Sequence, residues 1–152
     1  MKATATISIA RPVDEVFDFV TSVDNMPRWI TGVSGAHMVS KAMEKGASYI
    51  IDYVRGWRAS EVEIEVIDFE RPRLFASRTS RGPIAYEGRM ELATEGGATS
   101  VTNIIEDAPD SLATTFASAL FGPLLRGAYR RRLQKELEQL RSAIDSGRPA
   151  GA

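Results

Sequence analysis

The sequence predicts an α+β fold in which a curved antiparallel sheet of seven strands wraps around a long C-terminal helix, with two short helices after the first strand. An alternating N-terminal segment leads into an apolar stripe at helical spacing, six strand-like segments follow, and the chain ends in a second helical pattern. A long antiparallel sheet must curl, and one long helix laid across its concave side covers its apolar face.

The first strand and first helix are adjacent in the chain. In "ATATISIA", Ala5, Ile7 and Ile9 alternate with threonine and serine, which is the period of a half-buried strand. Pro12 stands where the first turn of a helix tolerates a missing N–H, and acidic residues at 14 and 15 suit the helix dipole. The segment "SVDNMP" ends this helix, and a second short helix is expected around Pro27 to Ile30.

The middle of the chain consists of segments typical of antiparallel strands. They are separated by glycine, proline or charged residues: "GVSGAHMVSK", "ASYIIDYVRGWRA", "SEVEIEVIDFE", "RLFASRTS", "AYEGRMELAT" and "TSVTNIIEDA". Glu61, Glu63 and Glu65 alternate with apolar neighbours, so one face of that strand is expected in water and the other covered. The final helix, expected over roughly residues 113 to 145, has a stripe formed by Leu133, Leu137, Leu140 and Ile144.

Composition narrows the class of protein. The 152 residues include no cysteine, which excludes disulfides, a thiol nucleophile and a cysteine zinc site, and the net charge of −1 indicates no nucleic-acid partner. No apolar run approaches the ~20 residues of a membrane span, and the N-terminus does not read as a signal peptide. We therefore expect a soluble, cytoplasmic protein without stable membrane insertion: one domain over residues 1–147 and a disordered tail over 148–152.

Familiar catalytic motifs are missing from the sequence. There is no G-x-S-x-G, G-x-G-x-x-G or P-loop pattern, and His37, the only histidine, has no serine or carboxylate at motif spacing. We therefore expect His37 at the surface, no metal and no cofactor, and we identify no catalytic residue. The basic run "YRRRLQK" is interpreted as a solvated helix face, offset by Glu136 and Glu138.

One long stretch carries a family resemblance. Residues 7–33, "ISIARPVDEVFDFVTSVDNMPRWITGV", resemble the N-terminal signature of the START-like (SRPBCC) superfamily with the helix-grip fold, whose bacterial members are often labelled polyketide cyclase/dehydrase and lipid-transport proteins. Asp24, Pro27, Trp29 and Gly32 match the pattern, whereas Arg11 replaces the usual small capping residue. The order of elements extends the resemblance over roughly residues 3 to 145.

The resemblance implies a mostly apolar cavity between the sheet and the long helix. Strand alternation, with Asp52, Glu87 and Glu106 placed outward, then selects the side chains expected to face it. Together with residues of the short and long helices, the candidate ligand-binding residues are Trp29, Tyr49, Tyr53, Arg55, Trp57, Tyr86, Met90, Asn103, Phe116, Ala119 and Leu120. Each has an alternative interpretation: Trp29 as a structural plug, the other aromatic residues as core, and Arg55 as a residue at the sheet rim that reaches water.

The segment "SLATTFASALFGPLLRGAY" does not continue the stripe of Leu133. Phe116, Leu120, Phe121 and Leu124 fall off it, so either Gly122-Pro123 kinks or breaks the helix or something covers these residues. A homodimer contact or a hydrophobic lid over the cavity mouth would cover them.

Three functions remain open from the sequence. The first is a binder of a small hydrophobic molecule such as a lipid or polyketide, which requires only the cavity. The second is a polyketide cyclase, aromatase or dehydratase in which Arg55, Tyr53 and Asn103 orient the substrate. The third is a regulatory protein-interaction module that uses the apolar surface from Phe116 to Leu125.

Overall fold

The computed structural model describes the backbone of residues 2–106 and 112–146, and the side chains of residues 2–106 and 127–146. The elements follow the predicted order: β1 (Lys2–Ile9), α1 (Val13–Thr21), a short 3-10 helix (Val23–Asn25), α2 (Met26–Trp29), β2 (Val33–Met38), β3 (Ser48–Arg55), β4 (Arg58–Glu70), β5 (Leu74–Arg81), β6 (Glu87–Glu95), β7 (Ala98–Glu106) and α3 (Leu112–Ser146). The predicted tail over 148–152 lies outside the described residues.

The seven strands form one curled antiparallel sheet, as predicted. Its order is β1-β7-β6-β5-β4-β3-β2, so the N-terminal strand pairs with the last strand, with Ala5 opposite Asn103. The remaining strands follow the chain as a meander. Strand β7 is therefore held on both sides, by β1 and by β6, and its inward residues lie at the base of the sheet's concave face.

Strand alternation predicted which residues enter the core. Exposed and buried residues alternate along β1, and Val62, Ile64 and Val66 of β4 are buried while the glutamates between them are not. Helix α1 buries Val16, Phe17 and Val20, as its apolar spacing predicts. The ring of Phe17 meets Phe69 edge-on at 5.3 Å between centroids, which ties α1 to the sheet.

Helix α3 lies across the sheet with its apolar stripe buried. The side chains of Leu133, Leu137, Leu140 and Ile144 all belong to the hydrophobic core, as predicted, and α3 contacts β1 and α2. The helical backbone runs without interruption through Gly122 and Pro123, so no separate short helix forms there. The side chains of Phe116, Ala119 and Leu120 lie outside the described residues, and their assignments stay predictions.

Two kinds of feature are absent from the described part of the chain. No described helix has the length and apolar character needed to cross a bilayer. Likewise, no group of three or more histidine, cysteine or acidic side chains comes together there as metal ligands would.

Candidate functional site

A cavity of about 170 Å³ lies between the concave face of the sheet, α2 and α3. Most of the described side chains around it are apolar, including Val20 from α1, Met26 from α2, Phe75 from β5 and Leu133 from α3. An apolar protein cavity of ~150 Å³ is large enough to bind benzene. The space therefore suits a compact molecule of one or two rings.

Six of the predicted site residues line this cavity, and they come from four elements and from the segment that precedes β6. They are Trp29, Tyr49, Tyr53, Tyr86, Met90 and Asn103. Strand alternation had placed five of them inward, and Trp29 lies on α2, where its ring is buried. Their location is established, whereas their role in binding a ligand stays a prediction.

The prediction that Arg55 and Trp57 face inward is wrong. Arg55 is exposed at the end of β3, and the Trp57 side chain is 88% exposed. The inward phase of β3 holds through Tyr53 and then ends, because Gly56 and Trp57 form the two-residue turn into β4, with Arg55 paired to Arg58. Gly56 takes the positive φ of 63° that the first central position of a type II′ turn requires.

A cluster of hydroxyl groups occupies one wall of the cavity. The Tyr86 hydroxyl and the Ser77 hydroxyl lie 2.9 Å apart and share a hydrogen bond, and Tyr49 lies beside both. Burial raises the pKa of Tyr86 and raises that of Tyr49 well above its usual value. Gly88 makes room for the Tyr86 ring, because a Cβ there would lie 2.9 Å from the ring edge. This wall therefore offers neutral hydroxyl groups.

Asn103 and Trp29 bring two further polar groups to the cavity. The Asn103 residue is only 4% exposed, and no described residue hydrogen-bonds to its side-chain amide. Within the part of the chain that the structure describes, the buried Trp29 indole N–H also has no acceptor. Buried polar groups are paired in the great majority of cases, so the unpaired Trp29 N–H requires an explanation, while the Asn103 amide opens onto the cavity.

A network of charged and polar groups joins α3 to the loop after α2 at the edge of the cavity. Arg132 donates to the Tyr53 hydroxyl at 2.7 Å and to the Thr31 carbonyl at 3.4 Å. The Glu136 carboxylate accepts from Arg132 Nε at 3.4 Å and from the Thr31 N–H at 3.2 Å. Burial raises the pKa of Glu136, even though Arg132 favours its ionised form.

Sequence reasoning missed Arg132 and Glu136 as site residues. The basic run that contains Arg132 was interpreted as a solvated face, yet both residues line the cavity and Glu136 is 5% exposed. A signal was available: Glu136 follows Leu133 by three positions and precedes Leu140 by four, which places it on the buried stripe. His37, by contrast, is exposed as expected.

Tyr53 is positioned by a glycine in the loop that precedes β2. Gly32 has a φ of +90°, and a Cβ added there would lie 2.7 Å from the Tyr53 ring. The Gly32 carbonyl also accepts a hydrogen bond from the Val54 N–H at 2.7 Å. The loop and β3 therefore approach so closely that only glycine fits.

Comparison with known proteins identifies the family. A family model described as "Polyketide cyclase / dehydrase and lipid transport" matches residues 1–145. The chain belongs to this family. A search of curated proteins finds no match.

Solved structures share the fold of this family member at low sequence identity. TTHA0849 from Thermus thermophilus superposes with a TM-score of 0.77 at 13% identity, over 98% of this chain and 100% of that one. A START superfamily protein from Mycobacterium smegmatis gives 0.75 at 12%, over 97% and 99%. The di-domain ARO/CYC BexL from the BE-7585A biosynthetic pathway gives 0.70 at 17%, over 98% of this chain and 51% of that one.

The close approach at Gly32 generates a matched pair of substitutions in this family member. Gly46 has nearly the same conformation, with a φ of +88°, but a Cβ there meets no atom within 4 Å. Gly46→Ala should therefore cost only the backbone strain, about 1–3 kcal/mol of unfolding free energy. Gly32→Ala should cost more, since it must also displace the Tyr53 ring.

Denaturant unfolding of both variants measures the difference, and repeating it in a Tyr53→Ala background supplies the control. Without the tyrosine ring, the excess cost of Gly32→Ala should shrink to the smaller cost of the contact with the Val54 carbonyl oxygen, which lies 3.2 Å from the added Cβ. Equal costs for the two glycine substitutions in the wild-type background would show that Gly32 does not position Tyr53.

Proposed function

We propose that this protein binds a small hydrophobic molecule in the cavity between the sheet and α3. The observation that carries the proposal is the cavity itself, with its mostly apolar walls and few polar groups. Protein cores are close-packed, and voids larger than a water molecule are few. A space of 170 Å³ therefore leaves apolar side chains without packing partners that a bound molecule would supply.

Family membership supports the same function. The family description includes lipid transport, and one structure with the same fold is a START superfamily protein. The volume of the cavity limits the size of the ligand, because sites for drug-sized molecules usually measure ~300–1,000 Å³. A volume of 170 Å³ favours a compact molecule over a long acyl chain.

Binding can be tested with p-xylene, a compact apolar probe, and with Trp29 as the reporter. The chain has two tryptophans: the Trp29 ring lines the cavity, while Trp57 is exposed at the turn after β3. In a spectrum of ¹⁵N-labelled protein, p-xylene should shift the Trp29 indole resonance by its ring current. The Trp57 resonance should stay in place and serves as the internal control.

A matched pair on β7 tests whether the probe enters the cavity. Ile105 lines it, whereas the side chain of Ile104 points to the opposite face of the strand. Ile105→Trp should fill the space and remove the effect of p-xylene, and Ile104→Trp should leave the affinity within about twofold. Each variant adds a third indole resonance to the spectrum. The resonance of Trp29 is therefore assigned before the titrations are compared. Saturable binding that survives Ile105→Trp, or no binding to the wild type, would refute the proposal.

One observation favours a second candidate, a polyketide cyclase or dehydratase acting in the same cavity. Aldol cyclisation needs a base that removes a proton from carbon and an acid that protonates the carbonyl oxygen. A buried carboxyl group with a raised pKa, Glu136, lies beside Arg132 and Tyr53. Arg132 could therefore take the role that the sequence had suggested for Arg55, and BexL, an ARO/CYC protein, shares the fold.

Glu136→Gln separates this enzyme from a binder. The amide keeps the shape of the carboxyl group and can still accept from the Thr31 N–H, but it cannot take up or release a proton. With a synthetic poly-β-keto thioester, a cyclase should lose at least about a hundredfold in single-turnover rate, with substrate affinity changed by less than about threefold. Unchanged product formation, or none by the wild type, would exclude Glu136 as the acid or base.

A further inference from the structure

We infer that the ligand is a neutral molecule of one or two rings that carries a hydroxyl or carbonyl oxygen, and that this oxygen hydrogen-bonds to the Asn103 amide. The inference rests on the proposed function, since it names the class of molecule that the cavity binds.

The neighbours of Asn103 in the sheet offer no partner for its amide. In the sheet its direct neighbours are Ala5 on β1 and Met90 on β6, neither of which has a polar side chain. The inward residues before and after it on β7 are Val101 and Ile105. An amide carries two N–H donors and an acceptor oxygen, and none of these apolar neighbours can pair them.

The amide faces the space that a ligand would occupy. Asn103 lines the cavity, is only 4% exposed, and forms no hydrogen bond to a described residue. A bound water would itself need two to four polar partners to replace its hydrogen bonds in bulk. An oxygen on a ring compound satisfies the amide, while the ring covers the apolar wall.

The charge of the ligand follows from the rest of the lining. Among the described residues, Arg132 is the cation that lines the cavity. It already donates hydrogen bonds to Tyr53, Thr31 and Glu136. The other polar side chains there are hydroxyls and amide or indole N–H groups, and burial raises the pKa of Tyr49 and of Tyr86. The same loss of hydration would penalise a carboxylate ligand, which finds no free cation among these residues.

The test compares p-cresol with p-xylene, in which a methyl group replaces the hydroxyl, and with 4-methylbenzoate, the related anion. The affinities of p-cresol and p-xylene for the wild type differ anyway, because p-xylene is more hydrophobic. The informative quantity is therefore the change in each affinity caused by Asn103→Leu. The p-cresol dissociation constant should rise about tenfold, the upper range for a neutral hydrogen bond, while that of p-xylene stays within about twofold. The Trp29 indole resonance reports both titrations.

Thr102→Val is the matched control, because Thr102 lies next to Asn103 but its hydroxyl pairs with Thr6 on the outer face at 3.1 Å. It should leave both dissociation constants within about twofold. Binding of p-xylene by Asn103→Leu shows that the variant is folded, and Asn103→Ala provides a second variant for the same comparison.

Each outcome decides the question. Equal changes for p-cresol and p-xylene, or none, would overturn the inference while leaving the proposed function intact. Binding of 4-methylbenzoate to the wild type more tightly than p-cresol would overturn it as well, since a cation would then face the cavity. No binding of p-xylene to the wild type would refute the proposed function itself.

Discussion

The apolar stripe of α3 packs against the concave face of the sheet, and the position where this packing becomes incomplete determines the site. Toward the C-terminus of the helix, Leu137, Leu140 and Ile144 are buried in a continuous core. On the N-terminal side of Leu137, Leu133 and Glu136 border the cavity. The same helix therefore closes one end of the sheet and leaves space at the other, so stability and binding depend on different turns of one element.

The polar groups around that space differ between its edge and its interior. At the edge, Arg132 connects the loop at Thr31 to Tyr53 and Glu136, and its side chain remains 43% exposed. In the interior the polar groups are neutral: the Tyr49, Ser77 and Tyr86 hydroxyls and the amide of Asn103. An arrangement of this kind favours molecules that are largely apolar and carry a few uncharged oxygen atoms, because hydration lost by an ion would not be replaced inside.

Periodicity predicted most of the fold, since each element buries one face over several residues. It failed at Trp57, where a two-residue turn at Gly56 ended the inward phase after Tyr53. At Glu136 the periodicity was correct, but the residue was interpreted by its charge, and its place on the buried stripe was missed. The carboxylate is held by the Thr31 N–H, which lies 105 positions away in the sequence, and no local pattern predicts such a contact.

The family resemblance predicted a cavity between the sheet and the long helix, but its size and the full set of residues around it were beyond sequence reasoning. A void depends on how side chains from α2, β3, β6, β7 and α3 meet, whereas alternation reports only the direction in which each one points. Trp29 illustrates the limit. From the sequence, Trp29 could be a structural plug or a ligand contact. The structure shows that its ring is buried and also forms part of the cavity wall.

Labelled methionine methyl groups provide the most direct test of a ligand in this cavity. Met26 and Met90 line it, whereas Met38 and Met43 pack elsewhere on the core. In protein with ¹³C-labelled methionine methyl groups, intermolecular nuclear Overhauser effects from bound p-xylene should reach Met26 and Met90 and be absent at Met38 and Met43. Effects at Met38 or Met43 without any at Met26 and Met90 would contradict the account, because the ligand would then bind outside the cavity between the sheet and α3.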